Sequence, residues 1–169
     1  TTWYCHIYLL LVYWLYKSIN LAICSFIAAR KIKDSERLNW LEKAKILPHF
    51  TDIHHVIIIP SYEEKVEKLR QTIEGIKNQS LPLSKLHVFI ALEQREKSAK
   101  EKGSILLQEY KNVFGGMYVT FHPDRKSEVK GKSSNQAYAG RKAYQLLVRR
   151  LNFPIGYLTV SSVDADSIF

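Results

Sequence analysis

Cysteine is nearly missing from this chain: Cys5 and Cys24 are the two in 169 residues. No Cys or His spacing matches a structural metal site. Both cysteines lie in an apolar N-terminal stretch. If that stretch is one helix, they sit roughly 28 Å apart and cannot pair with each other. They read as membrane or core filler and fix no redox compartment. Internal repeats and low-complexity tracts are also lacking, so neither a solenoid nor a biased tail is expected. Acidic residues are in the minority, 16 against 25 Lys+Arg, for a net charge of +9. A basic chain suits an anionic partner such as a nucleotide, phospholipid headgroups or nucleic acid, and a solvated basic surface accounts for the charge as well. The basic residues form no aromatic-interleaved surface and no known nucleic-acid module, so no nucleic-acid partner is expected. An initiator Met is absent and the sequence stops soon after a strand, so the expectation is a fragment truncated at both ends. Its length still suffices for one domain with a core.

What is present begins with residues 1–30, read as a transmembrane segment. Trp3 to Ala29 is apolar except mainly for Lys17, Ser18 and Asn20. It exceeds the roughly 20 residues needed to cross hydrocarbon. Trp3, Tyr4, Tyr8, Tyr13, Trp14 and Tyr16 supply interfacial aromatics. A cleavable signal peptide fits poorly, because there is no charged start and the run is too long. Lys17 leaves two readings open, a single helix with a snorkelling lysine or a hairpin of two shorter helices. Arg30, Lys31 and Lys33 follow, which by the positive-inside rule puts the remainder on the cytoplasmic side of the cell membrane. Residues 31–53 read as a basic, amphipathic juxtamembrane linker. Within it Ser35 to Leu47 is expected as a short helix capped by Ser35 or Asp34 and stopped by Pro48.

Residues 54–169 alternate strand and helix. His54–Pro60, Leu86–Leu92, Met117–Phe121 and a run beginning at Gly156 read as strands. Glu63–Gln79, Glu96–Asn112 and Ser134–Leu151 read as helices, the second weakened by Gly103. Four strands separated by three helices predict an α/β fold with a mainly parallel, doubly wound sheet.

In such sheets ligands bind outside the carboxyl ends of the strands, and polar candidates stand at each one. Pro60-Ser61-Tyr62-Glu63-Glu64 follows the first strand: Tyr62 suits stacking on a base and Glu64 suits ribose hydroxyls. A Pro-stopped strand with an acidic helix start explains the same residues. Glu93 follows the second strand, either as an acceptor for a base N–H or as a solvated cap. The loop after the third strand is basic and polar and closes on Gly131-Lys132-Ser133-Ser134-Asn135 at a helix start, which suits an anion. It is not a Walker A loop, since Lys126 stands where the upstream Gly is required. Asp164-Ala165-Asp166 follows the fourth strand. An Asp-x-Asp pair there can hold a hard divalent cation, and turn or cap chemistry accounts for it too.

Taken in order, these motifs resemble the first half of a family 2 glycosyltransferase of the GT-A, Rossmann-like fold. That family runs strand, Pro-x-Tyr-Asn-Glu, a second strand ending in an acidic residue, a Gly-Lys-x-x-x-Asn-type helix start, and an apolar strand ending in Asp-x-Asp. The resemblance covers about His54 to Phe169, and the membrane-embedded branch also begins with apolar helices. It implies that Pro60, Tyr62, Glu64, Glu93 and Asp164 bind the donor nucleotide, with Lys132 and Asn135 toward its diphosphate. It implies that Asp166, with Asp164 beside it, holds Mg2+ or Mn2+. Glu63 in place of Asn and Glu93 in place of Asp are departures that leave the base open.

The expected function is therefore a membrane-anchored, metal-dependent, inverting glycosyltransferase. It would move a sugar from a nucleotide sugar, with UDP as the expected nucleotide, to a lipid or glycan acceptor. In the family the general base lies C-terminal to Asp-x-Asp, so this chain alone is expected to be inactive and neither Asp164 nor Asp166 takes that role. Two other classes remain: a membrane-anchored nucleotidyltransferase using the same carboxylates, and a non-catalytic nucleotide-binding or scaffolding domain.

Overall fold

The computed structural model describes residues 2–125 and 128–167. Lys126 and Ser127 of the basic loop, and Ile168 and Phe169 at the end, lie outside the described residues. Two compact units result, Thr1–Ile46 and Leu47–Phe169.

The first unit is built on one continuous helix, α1 (Thr2–Glu36). At 1.5 Å per residue it is about 50 Å long, more than the ~30 Å of a hydrocarbon core. It is long and apolar enough to cross a membrane. Lys17 does not divide it, which excludes the hairpin: the ammonium lies 5.6 Å from the Tyr13 ring one turn away. Ser18, whose hydroxyl donates to the Trp14 carbonyl at 2.8 Å, is likewise absorbed into the helix. Ser35 and Asp34 fall inside α1 and are not caps. The expected amphipathic helix shrinks to α2 (Trp40–Lys45), capped by Asn39, whose side chain accepts from the Glu42 N–H at 3.2 Å.

The second unit is α/β, as its alternating pattern predicts. β1 (His54–Ser61), β2 (Leu86–Glu93), β3 (Gly116–His122) and β4 (Leu158–Ser162) form one parallel sheet in the order β3-β2-β1-β4. α3 (Val66–Lys77) and α4 (Ala99–Tyr110) cover one face; α5 (Lys132–Ala143) covers the other and runs on through a π-helical segment, Tyr144–Arg150. The first two crossovers advance in one direction and the third returns past β1. Right-handed connections then require its helix to lie on the opposite face. The reversal sits between β1 and β4, and it makes a crevice at their carboxyl ends.

β1 and β2 are central strands buried on both faces, which is why Val56 to Pro60 and Val88 to Leu92 read as apolar runs. Ile57 and Ile59 pack toward α3 and α4, while Val56 and Ile58 pack toward α5. Each fully buried Ile or Leu contributes about 1.5–3 kcal/mol. Gly103 is not a weak point in α4: a Cβ there would lie 2.9 Å from Val119 Cγ1 and 3.2 Å from Leu92 Cδ1. The glycine lets the helix approach the sheet. Gly156 does not open β4, because Ile155–Tyr157 forms a 3-10 turn first.

Candidate functional site

The carboxyl ends of β1, β2 and β4 and the amino end of α5 surround one cavity of about 280 Å³. It is lined by every residue that the sequence singles out for donor or metal binding: Pro60, Tyr62, Glu64, Glu93, Lys132, Asn135, Asp164 and Asp166. Ser61, Arg95, Gly131 and Ala165 complete the wall.

β1 delivers the first group. Pro60 lies past the last β4 pairing, at Ile58↔Ser162, and Ser61 ends the strand. Glu63 then takes a left-handed conformation, φ 59°, so α3 starts at Val66 and not at the acidic pair. Asn tolerates this conformation better than Glu does. The turn leaves Tyr62 partly exposed, with the Arg95 guanidinium 3.9 Å over its ring centroid. The Glu64 carboxylate accepts from Lys68 Nζ at 3.0 Å, one turn into α3.

β2 runs one residue further than its apolar stretch and ends on Glu93. Glu93 is 4% exposed, which excludes the solvated cap, and its carboxylate pairs with Arg95. Beyond it lies a second, fully interior pair, Glu96 with Lys102. Burial pushes the Glu96 carboxyl up, but the Lys102 ammonium, the Glu63 N–H and the Ser98 hydroxyl outweigh it and hold it below the ordinary range. Removing one member of such a pair costs about 3–5 kcal/mol, because the other charge is left buried.

Two ion pairs link described residues at the two ends of the loop after β3. His122 is bonded to Glu128 at 2.9 Å, and Lys130 lies 2.8 Å from Asp124. α5 then opens with Lys132, whose ammonium is paired to Asp164. Asn135 is 1% exposed and donates Nδ2–H to the Ala91 carbonyl at 2.7 Å, joining α5 to β2. Its remaining oxygen has no partner among the described residues, and neither does the buried hydroxyl of Ser61. A free carbonyl oxygen suits a hydroxyl or N–H donor better than a phosphate oxygen.

The Asp-x-Asp turn follows β4 by one residue and is pinned from two sides. The Val163 N–H donates to the Ile58 carbonyl at 2.9 Å, and the Thr72 hydroxyl of α3 donates to the Ala165 carbonyl at 2.9 Å. Ala165 is buried among the residues under α3 and α4, so a small apolar residue is needed there. Asp164 and Asp166 flank it and stay exposed. Lys68 Nζ stands 3.7 Å from Asp166.

Four carboxylates (Glu64, Glu93, Asp164, Asp166) thus face three cations (Arg95, Lys132, Lys68), and the site keeps an excess negative charge within a basic chain. Exposed carboxylate oxygens with uncompensated charge fit a hard divalent ion. Among the described residues no group of three His, Cys, Asp or Glu side chains could hold a metal by itself. An ion at Asp164 and Asp166 therefore needs further oxygens, such as those of a diphosphate or water. Arg95, Lys68, Thr72, Glu96 and Lys102 carry much of this arrangement and were not singled out in the sequence. Lys68 alone had a local signal, four residues after Glu64 on a helix.

No family model matches the chain, and no curated protein matches it. Among solved structures, the mannosyltransferase PcManGT from Pyrobaculum calidifontis, in complex with GDP-Man and Mn2+, is similar at a TM-score of 0.45 and 16% identity. The match covers 69% of this chain and 28% of that one, so the chain spans little more than a quarter of that protein's length.

Proposed function

We propose that the chain is the donor-binding part of a membrane-anchored, metal-dependent glycosyltransferase that takes a nucleotide sugar, with UDP as the expected nucleotide. What carries the reading is one observation: motif residues spread from Pro60 to Asp166 line a single cavity at the point where the strand order reverses. Tyr62 would stack on the base and Glu93 would accept its N–H, helped by Arg95. Glu64 and the free oxygen of Asn135 suit ribose hydroxyls. Lys132 would turn from Asp164 to the diphosphate once a cation neutralises the aspartates. A divalent ion held by Asp164 and Asp166, Mg2+ or Mn2+, would supply charge neutralisation of the departing nucleoside diphosphate.

The reaction would be an inverting transfer to a lipid or glycan at the cytoplasmic face of the cell membrane, with α1 as the anchor. No residue of this chain is assigned as general base. Membranes from cells expressing the gene, supplied with a UDP-sugar and Mn2+, are expected to release UDP. No UDP release from the UDP-sugar, with pyrophosphate released when a nucleoside triphosphate and a sugar 1-phosphate are supplied in its place, would contradict this reading and favour nucleotidyl transfer.

A further inference from the structure

A glutamate at φ 59° occupies a conformation that a non-glycine residue keeps only when its surroundings over-determine it. At Glu63 those surroundings are the interior pair of the β2–α4 connection. The Glu63 N–H donates to Glu96 Oε2 at 3.1 Å. The Lys102 ammonium donates both to Glu96 Oε1 and to the main-chain carbonyl of Glu64. The Ser98 hydroxyl donates to the same oxygen, Glu96 Oε1, at 2.9 Å. Glu96 and Lys102 are each 4% exposed at their side chains, and neither lines the cavity. One charged pair therefore grips the backbone at two successive residues of a turn more than thirty residues away in sequence. Tyr62 and Glu64 stand on either side of the strained residue.

We propose that Glu96 and Lys102 are positioning residues for the nucleoside: by locking the left-handed turn at Glu63 they hold Tyr62 and Glu64 in the arrangement that receives base and ribose. This rests on the donor-site reading above. A well-packed apolar pair of similar size fills the same space without loss of stability in many proteins. The ion pair differs from such a pair in what it does to the turn: it adds one acceptor and one donor for main-chain groups that α3 and β1 do not use.

The test compares wild-type chain with E96L/K102M, which removes both charges together so that neither is left buried alone. Three properties are measured: UDP affinity, thermal unfolding, and hydrogen exchange at the 61–65 segment. The variant is expected to stay folded, to lose UDP affinity on the order of tenfold through lost preorganisation, and to exchange faster at that segment with β1 and β2 unchanged. Adding Glu63→Asn, which lowers the intrinsic cost of the left-handed conformation, is expected to recover much of the affinity; a purely structural pair predicts no such rescue. Should E96L/K102M not fold, E96Q/K102M carries the test: it leaves no charge buried alone, keeps an acceptor for the Glu63 N–H and removes the hold on the Glu64 carbonyl, and it is expected to weaken UDP binding and speed exchange at the 61–65 segment. A folded variant that binds UDP as the wild type does, with unchanged exchange at the turn, overturns the positioning role alone. Absence of UDP binding by the wild-type chain overturns the donor-site reading and this proposal with it.

Discussion

The Arg95 guanidinium lies over the Tyr62 ring, 3.9 Å from its centroid, while the same group is paired with the buried Glu93 carboxylate. Side chains from the ends of two adjacent strands are thereby joined into one platform, aromatic face and acceptor together. If that platform receives a base, Tyr62→Ala should weaken UDP binding about 5- to 160-fold, the range for a lost base–aromatic stack of ~1–3 kcal/mol. Tyr62→Phe should bind nearly as well as wild type, because stacking does not use the hydroxyl. Titration of both variants with UDP checks this, and an unaffected Tyr62→Ala would remove Tyr62 from the site.

Gly103 decides how closely α4 approaches the sheet. Alanine there gains about 1 kcal/mol of helix propensity. Its Cβ would meet Val119 Cγ1 at 2.9 Å, Leu92 Cδ1 at 3.2 Å and Phe121 Cζ at 3.2 Å. Val119 is β-branched and stiff, so the clash is relieved by moving the helix, and overpacking of this kind costs about 1–3 kcal/mol. Gly103→Ala is expected to be destabilising on balance, and denaturant unfolding measures it. A more stable variant would mean that the α4–β3 contact yields easily.

His87 gives the chain an acid-sensitive core. Lys85 Nζ lies 3.4 Å from His54 Nε2, and His54 Nδ1 lies 2.9 Å from His87 Nε2. A lysine only donates, so His54 must accept at Nε2 and donate from Nδ1. His87 then carries its proton on Nδ1, which is buried without a partner among the described residues. Burial first, and the neighbouring His54 second, push His87 down to about 4. Its folded value is below its unfolded one, so the unfolded chain takes up the proton first. Stability should fall as pH drops from about 6.5 to about 4, by ~1.4 kcal/mol per pH unit from this group, and level off below. Subtracting the profile of His87→Gln isolates its contribution from that of the carboxylates. Identical profiles for the two proteins would contradict the assignment.

How much of this was legible in the sequence follows from what each signal depends on. β1 and β2 were readable because a strand buried on both faces is apolar at nearly every position: Ile57, Ile58 and Ile59 are, as are Val88 to Leu92, with His87 the buried exception. Their last residues were not readable: Ser61 and Glu93 belong to the strands because pairing to β2 and β3 continues past the apolar run. The helix starts shifted for a similar reason. Glu63 and Glu64 look like a dipole-favoured first turn, yet a tertiary grip on Glu63 forces the chain left-handed and delays α3 to Val66. Asp34 and Ser35 look like caps, and α1 passes through them because nothing in that segment breaks a helix before Glu36. The motif residues around the cavity were visible as polar punctuation after strands. Their partners were not, since Lys132 with Asp164 and Lys102 with Glu96 are pairings that only the folded chain creates.

The central claim is that Asp164 and Asp166 bind a divalent cation together with the diphosphate of a nucleotide. Titration of the wild-type chain and of Asp166→Asn with UDP and with uridine, each with and without Mn2+, tests it most directly. The account predicts that Mn2+ tightens UDP binding by the wild type about tenfold or more, leaves uridine binding unchanged, and has no effect on UDP binding by Asp166→Asn. UDP affinity indifferent to Mn2+ in the wild type, or the same Mn2+ gain retained in Asp166→Asn, would contradict it.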